Sequence, residues 1–360
     1  MARFSTGVVA KVLDSSEGIE RVTVKLGRRN RQATSFPVMT GKLTVGDRVV
    51  INTTAVELAL GTGGDDFVLW NLGLDKVESR SPGHIMKLRY TPWQMDTLVA
   101  EAPESEHHEL LAEADSLAGM PVVACGLHSQ VAPAVAMLKH MDPDLTIAYI
   151  MTDGGALPIA HSRVVAELKN RDLIQATITC GHAFGGDLES INIFSSLMAA
   201  SEVLKADVTV VSVGPGVVGT NTLLGHTGME QGQVVSAAAA LGGRPIAALR
   251  ISFADQRPRH HGVSRHCLAA LRFGAVARGT IAVPDFELDK LNQVMAALAG
   301  QGLSDMHDIR IVDAWETEPA LKEFDLTPET MGRSVVDDPE FFMAAGAAGL
   351  VAGKLIYEID

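Results

Sequence analysis

The sequence predicts an α/β chain: a doubly wound, mainly parallel, Rossmann-like sheet preceded by a small N-terminal β-barrel or sandwich domain. Three observations carry this reading. From Pro121 onward, short apolar and β-branched runs alternate with stretches of helix length, the pattern of a parallel sheet covered on both faces. Before about residue 78 the chain reads instead as short strands separated by turn clusters. At 360 residues it also exceeds what a single core comfortably supports, so two domains are expected.

Taken in order, Arg21 to Leu26 alternates strictly, the period of a half-buried strand. Turns are expected at Asp14-Ser15-Ser16-Glu17-Gly18, at Gly27-Arg28-Arg29-Asn30 and at Gly46-Asp47 before Arg48-Val49-Val50-Ile51. A turn at Gly61-Thr62-Gly63-Gly64-Asp65-Asp66 precedes a last strand, Phe67 to Leu72. These elements make a domain over 1–78. Breaks at Pro82-Gly83 and Thr91-Pro92 and an acid-rich surface helix from Glu101 to Asp115 make 79–118 a connection. The α/β domain is placed at 119–360. Its expected strands are Pro121–Cys125, Leu145–Met151, Ile174–Cys180, Val208–Val213, Pro245–Ile251, Thr280–Val283 and Ile309–Val312. Helices are expected at Gln130–Met141, Ala160–Asn170, Glu189–Leu204 and Val263–Phe273, and a buried one in the apolar run Phe341 to Gly353, too short to span a bilayer.

Composition narrows the function. Charged residues at 20% and hydrophobic ones at 47% exclude a disordered or collagen-like chain. A net charge of −13 argues against unspecific binding to nucleic acid or anionic membrane. Residues 1–50 nevertheless carry nine Lys/Arg against four Asp/Glu. Three cysteines, Cys125, Cys180 and Cys267, with no C-x-x-C, point to a reduced, cytoplasmic compartment and to small core residues. No signal peptide is read at the start, since Lys11 interrupts Val8-Val9-Ala10.

In an open parallel sheet ligands bind outside the carboxyl ends of the strands, and here five successive strand ends carry chemistry. The first has His128, which could also cap the following helix. The second has Asp153 before Gly154-Gly155, either an acceptor in the crevice or a turn residue. The third has Cys180-Gly181-His182. Cys125/His128 with Cys180/His182 offers zinc-type donors but no standard spacing. The fourth, Gly214-x-Gly216-x-x-Gly219 with Thr220, Asn221 and Thr222, formally matches a dinucleotide fingerprint. No acidic residue follows at the right distance, and glycines interrupt the helix that should start there, so NAD(P) and flavin are not expected. Those residues could cradle a phosphate or carboxylate, or serve only close packing. The fifth end is the densest: four Arg, three His, one Asp and two Ser fall between Arg250 and His266. Arg257 and Arg259 are read there as anion ligands, and Asp255, His260 and His266 as acid–base groups or metal ligands.

The same segments resemble a family of bacterial proteins catalogued as a domain of unknown function. The carriers are Asn52-Thr53-Thr54-Ala55-Val56-Glu57-Leu58 with Leu60-Gly61-Thr62-Gly63-Gly64, then Leu127-His128-Ser129 and Asp153-Gly154-Gly155-Ala156-Leu157-Pro158. Gly214-Pro215-Gly216-Val217-Val218-Gly219-Thr220 and Arg250-Ile251-Ser252-Phe253-Ala254-Asp255 complete the set, which spans essentially the whole chain. The resemblance brings no activity or cofactor. It implies a His-His pair ending the basic stretch. Arg265-His266 stands here instead, which argues against a metal site built on two adjacent histidines.

The leading expectation is a hydrolase or group transferase acting on a small anionic, phosphorylated or nucleotide-like metabolite. His128, Asp153, Asp255, His260 and His266 would be its acid–base groups and Gly214, Gly216, Gly219, Thr220, Asn221, Thr222, Arg257 and Arg259 its anion ligands. A divalent metal is a candidate cofactor. The alternative is a sensor that binds the same ligand without chemistry and signals through the N-terminal barrel. A third reading, nucleic acid on that barrel through Lys25, Arg28, Arg29 and Arg31, lacks interleaved aromatic residues. The small-residue stretch Ala344 to Gly353 suits close helix packing, within the domain or in a homo-oligomer.

Overall fold

The computed structural model describes residues 2–16, 18–60, 63–78 and 83–358. Glu17, Gly61, Thr62 and Pro82 of the expected turns lie outside them. The chain divides into two compact units, Met1–Asp96 and Thr97–Asp360.

In the first unit β1 (Phe4–Ser16), β2 (Ile19–Leu26), β3 (Arg29–Ser35), β4 (Arg48–Asn52) and β5 (Asp66–Asn71) close a barrel in the order β1-β2-β3-β5-β4. The alternation in β2 sends Val22 and Val24 inward, both fully buried, against Val9, Ala33, Val49, Ile51 and Val68. Gly27, at φ +58°, takes the left-handed conformation of the tight β2–β3 turn. Register shifts at Val9/Lys11 and Val12/Asp14 bend β1, which pairs with both β2 and β4 and so closes the barrel. Part of the basic surplus is spent internally. Arg31 forks onto Asp66 at 2.6 and 2.7 Å, and Arg21 onto Asp65 at 2.9 and 3.2 Å. Arg31 is therefore a barrel tie rather than an open cation. A short ribbon pairs β6 (Ile85–Lys87) with β7 (Met95–Thr97), where the unit boundary falls.

The second unit is a Rossmann-like α/β domain. Its strands are β8 (Pro121–Cys125), β9 (Ile147–Thr152), β10 (Ala176–Cys180), β11 (Leu188–Ser190), β12 (Val208–Val213), β13 (Arg244–Ala248), β14 (Ile251–Ser252), β15 (Gly262–Val263), β16 (Thr280–Pro284) and β17 (Asp308–Val312). Eight form one all-parallel sheet, ordered β11-β10-β9-β12-β8-β13-β16-β17, and β14 and β15 make a separate antiparallel ribbon. Residues along each strand alternate between two cores. Val123, Cys125, Tyr149 and Met151 face helices Val131–Met141, Arg163–Asn170, Thr317–Glu323 and Pro339–Tyr357. Val122, Ala124, Ile150 and Val211 face Ile193–Met198, Glu230–Ala240, Arg265–Ala269 and Leu288–Ala299.

This topology positions the site. β12 lies between β9 and β8. The helices after β8 and β9 cover one face, and those after β12 and β13 cover the other. At the junctions β9/β12, β12/β8 and β8/β13 the chain therefore leaves the sheet toward opposite sides, which opens crevices at the carboxyl ends.

Three expectations are corrected. Glu189–Leu204 is not one helix: β11 pairs with β10, and the helix starts at Ile193 because Asn192 accepts the amides of Phe194 and Ser195. Glu101 to Asp115 is helical only over His108–Glu113. Its earlier part instead covers the edge strand, through Ala100 N–H to Glu189 O at 2.8 Å and Ile191 N–H to Glu101 Oε1 at 2.9 Å. The strand expected over Pro245–Ile251 ends at Ala248, and Ile251 turns away to pair with Val263.

The C-terminal helix, Pro339–Tyr357, outgrows the 13-residue apolar run and reaches 19 residues. By length and composition it could cross a membrane, yet 83% of its most apolar window is buried inside the domain. At Gly349 it crosses the helix Val131–Met141 so closely that a Cβ would lie 2.3 Å from the Ala134 carbonyl oxygen. The small residues serve this intramolecular contact. The three cysteines are free and buried.

Candidate functional site

The carboxyl end of β8 leads into His128, which is buried and bonded on both sides. Its Nε2 accepts from Ser162 Oγ at 2.6 Å, and its Nδ1–H points to Val213 O at 3.2 Å beside Ser212 and Tyr149. Ser162 in turn caps the helix Arg163–Asn170 through Val165 N–H. His128 thus ties three strand ends to a helix. Burial pushes its pKa down to about 4. Below about pH 6.5 the unfolded chain binds a proton here that the native state refuses, so stability falls as pH drops toward 4. We expect about 2 kcal/mol to be lost between pH 7 and pH 5 from this residue. Urea midpoints across that range check it: an equally steep fall in His128→Asn would refute the assignment.

At the end of β9, Asp153 is exposed and its Oδ2 accepts His182 N–H at 2.9 Å, a bond to the loop after β10. Beside it, Glu230 accepts Thr152 Oγ1–H at 2.5 Å, and burial raises its pKa with help from Asp153. The glycines here serve close approach. A Cβ on Gly155 would meet the Gly214 carbonyl at 2.1 Å, and one on Gly214 would meet the Ala156 carbonyl at 2.2 Å. The β9/β12 crevice is closed by backbone.

The loop after β12 folds on itself. Gly219 bridges His226, Thr220 N–H reaches Gly225 O at 2.8 Å, and Val218 N–H reaches Thr227 Oγ1 at 3.1 Å. Thr220 and Thr222 bond each other and the Gly225 backbone, with Asn221 at φ +65° in the tip. The hydroxyls read as anion ligands therefore close a hairpin. That hairpin also displaces the next helix to Glu230, so no dinucleotide-type helix start follows Gly219.

In the basic stretch Asp255, 2% exposed, is the hub. Arg257 grips it with Nε at 2.9 Å and Nη2 at 2.6 Å, and Arg250 Nη2 reaches it at 3.2 Å. Arg333 lies 3.5 Å from Asp255 and also binds Asp338, which accepts from Ser252. These arginines hold the Asp255 carboxyl well below the usual carboxylate range. It is a fixed anion rather than an acid–base group, and Arg257 is spent on it. Arg259 Nε–H donates to His260 Nε2 at 3.2 Å, and His260 Nδ1–H donates to Ser264 at 2.8 Å.

At the β8/β13 junction a small cavity remains, lined by Gly126, Val217, His226, Gln231, Arg250 and His266 among others. Gln231 fixes its floor, donating to Ala124 O at 2.9 Å and Ala248 O at 2.8 Å, while its Oε1 takes the Cys267 thiol. Arg250 is 8% exposed, and its buried Nε–H has no partner among the described residues. His226, 7% exposed, stacks on His266 with ring centroids 4.0 Å apart. Among the described residues neither His226 nitrogen makes a hydrogen bond of ordinary geometry, and the Leu223 backbone acts on the ring in the direction that raises its pKa.

A family model described as a protein of unknown function, DUF3866, matches residues 32–349. The chain belongs to the DUF3866 family. No curated protein matches it.

In this DUF3866 protein Arg250 is among the cavity's lining residues, and Arg259 and Arg257 act on His266 from nearby. Arg250, Arg257 and Arg333 surround Asp255 and Asp338, and burial raises the pKa of Asp338. Burial, then the neighbouring arginines, pushes the Arg250 pKa down to about 10 and that of His260 to about 3. Burial, then His226 and the arginines, takes His266 to about 4. Among the described residues no three His, Cys, Asp or Glu side chains gather as a metal site. The Cys125 thiol, pushed up to about 12 by burial, is a core group, and the Cys125/His128 and Cys180/His182 donors do not gather as a metal site among the described residues. Of the five acid–base candidates, His266 alone lines the cavity. Sequence reasoning noted Arg250 without assigning it a role, and it gave none to His226, Gln231, Arg333 or Asp338, since only tertiary contacts recruit them.

Proposed function

We propose that this DUF3866 protein binds a small metabolite by its carboxylate or phosphate head in the β8/β13 cavity, and that it is a hydrolase or group transferase acting next to that head. One observation carries the reading: Arg250, a buried guanidinium whose Nε–H has no partner among the described residues, lines the cavity. A buried donor left unpaired costs stability, so such a group marks a ligand position. The Nε–H suits an oxyanion, and His266 is placed to exchange a proton with the bound molecule. The buried thiols fit a reducing, cytoplasmic setting.

The test is thermal shift followed by calorimetry with sulfate, inorganic phosphate, acetate and a panel of phosphoesters and carboxylic acids. Wild type should be stabilised, and Arg250→Gln should bind about 30-fold or more weakly, the equivalent of about 2 kcal/mol or more. Asp255 keeps Arg257 and Arg333 in that variant, so the fold is retained. Equal binding by both proteins would sink the reading. A specific observation also favours the sensor alternative: His128, Asp255 and His260 are all occupied by internal bonds. Ligand binding by His266→Ala, with wild type showing no turnover of the bound molecule, would decide for the sensor.

A further inference from the structure

We infer that the cavity takes up one proton together with its anion, and that the stacked pair His226–His266 carries it. The inference rests on the anion site just proposed and names the residues that couple it to pH. Three imidazoles meet there: His226 lies flat on His266, at 4.0 Å and 8° between planes, and His260 stands edge-on to His266 at 4.9 Å and 85°. They are not equivalent. His260 has its Nε2 lone pair committed to Arg259 Nε–H and its Nδ1–H to Ser264, so it has no position for another proton. His226 has two buried nitrogens without ordinary hydrogen bonds, and His266 makes none among the described residues. The basic site is the pair.

Facing the pair, the segment Arg250 to Arg265 contributes Arg250, Arg257, Arg259 and the opposing Asp255. The helix Arg265–Ala269 contributes Cys267, a neutral thiol. The helix Glu230–Ala240 presents Gln231, while Glu230 turns to Thr152 at the end of β9. The hairpin brings His226 and no other ionisable side chain. Without an anion, burial holds the His226 pKa down, and burial with His226 and this cationic surround holds that of His266 down. An anion on Arg250 cancels the surround from inside the cavity, and a proton on the pair then favours the anion by the same factor. Two protons would put like charges on stacked rings, so the uptake stops at one.

Sulfate is the probe, because its charge does not change between pH 5 and pH 8. Calorimetry in two cationic buffers of different ionisation enthalpy should show about one proton taken up per sulfate near pH 6, with affinity falling about tenfold per pH unit above that. The ring nitrogen-15 shifts of wild type should show one imidazole turning to imidazolium on sulfate addition. His226→Gln and His266→Gln should each lose the uptake, while the exposed His261→Gln keeps it. The nitrogen-15 measurement needs no variant and so stands even where one fails to fold. Sulfate binding with no proton uptake and no ring protonation overturns this inference and leaves the anion site intact. Failure of wild type to bind sulfate at any pH between 5 and 8 overturns the inference together with the site.

Discussion

Asp255→Ala is expected to lower the thermal midpoint of the DUF3866 protein by about 6–20 °C. The carboxylate is buried and shared by Arg250, Arg257 and Arg333. Removing it leaves three guanidiniums facing one another, and breaking a buried ion cluster in this way costs about 3–5 kcal/mol. In a domain of this size each kcal/mol moves the midpoint by about 2–4 °C. Asp255→Asn, which keeps acceptor atoms but not the charge, should fall between the variant and wild type. The pH dependence has a fixed sign. Because the folded carboxyl titrates below its unfolded value near 3.9, its contribution is fully present above about pH 4 and is lost as pH falls below that. Asp153→Ala is the comparison: exposed, with one backbone amide as partner, it should cost about 1 kcal/mol or less. Equal midpoints for the Asp255 and Asp153 variants would mean that the arginines do not depend on Asp255.

Phe341→Ala should cost a similar amount, about 3–5 kcal/mol, through the cavity it opens. Phe341 is 1% exposed and meets Phe342 edge-on at 5.2 Å. The size of the penalty depends on whether neighbours can collapse into the space. Here they are held. Gly349 sits against the Ala134 carbonyl, and at Gly346 a Cβ would lie 2.1 Å from Thr317 Oγ1, so the helix is already at its closest approach on that side. Chemical denaturation should show the loss in the unfolding midpoint at an unchanged slope. Phe4→Ala, at a side chain 52% exposed, should be close to neutral, and a Phe341→Ala midpoint equal to it would disprove the packing argument.

Both effects act on the support of the cavity rather than on its lining. Asp255 aims Arg250, and the glycine-bearing helix packs under the sheet whose ends form the rim. Loss of anion binding in either variant therefore counts for the site only when Arg250→Gln loses it with the fold intact.

What the sequence by itself determined was everything set by local periodicity. The strict alternation in Arg21–Leu26 and the continuous apolar runs at Pro121–Cys125 and Val208–Val213 gave a small barrel or sandwich followed by a parallel sheet, because side-chain direction repeats every two residues along a strand. The chemistry at five strand ends was legible for the same reason, since the end of an apolar run is visible in one dimension. The tertiary structure alone decided which ends converge. The helices after β8 and β13 leave toward opposite faces and open the β8/β13 junction, while the close approach of Gly155 and Gly214 closes the β9/β12 one. Asp255 is gripped first by Arg257, two residues on, but Arg333, 78 residues away, also arrives beside it, and Arg250 reaches the same carboxylate through Nη2 alone, its Nε–H having no partner among the described residues. Charge pairing and burial depend on distance in space and on exclusion of water, and neither quantity is written in the order of residues along a chain.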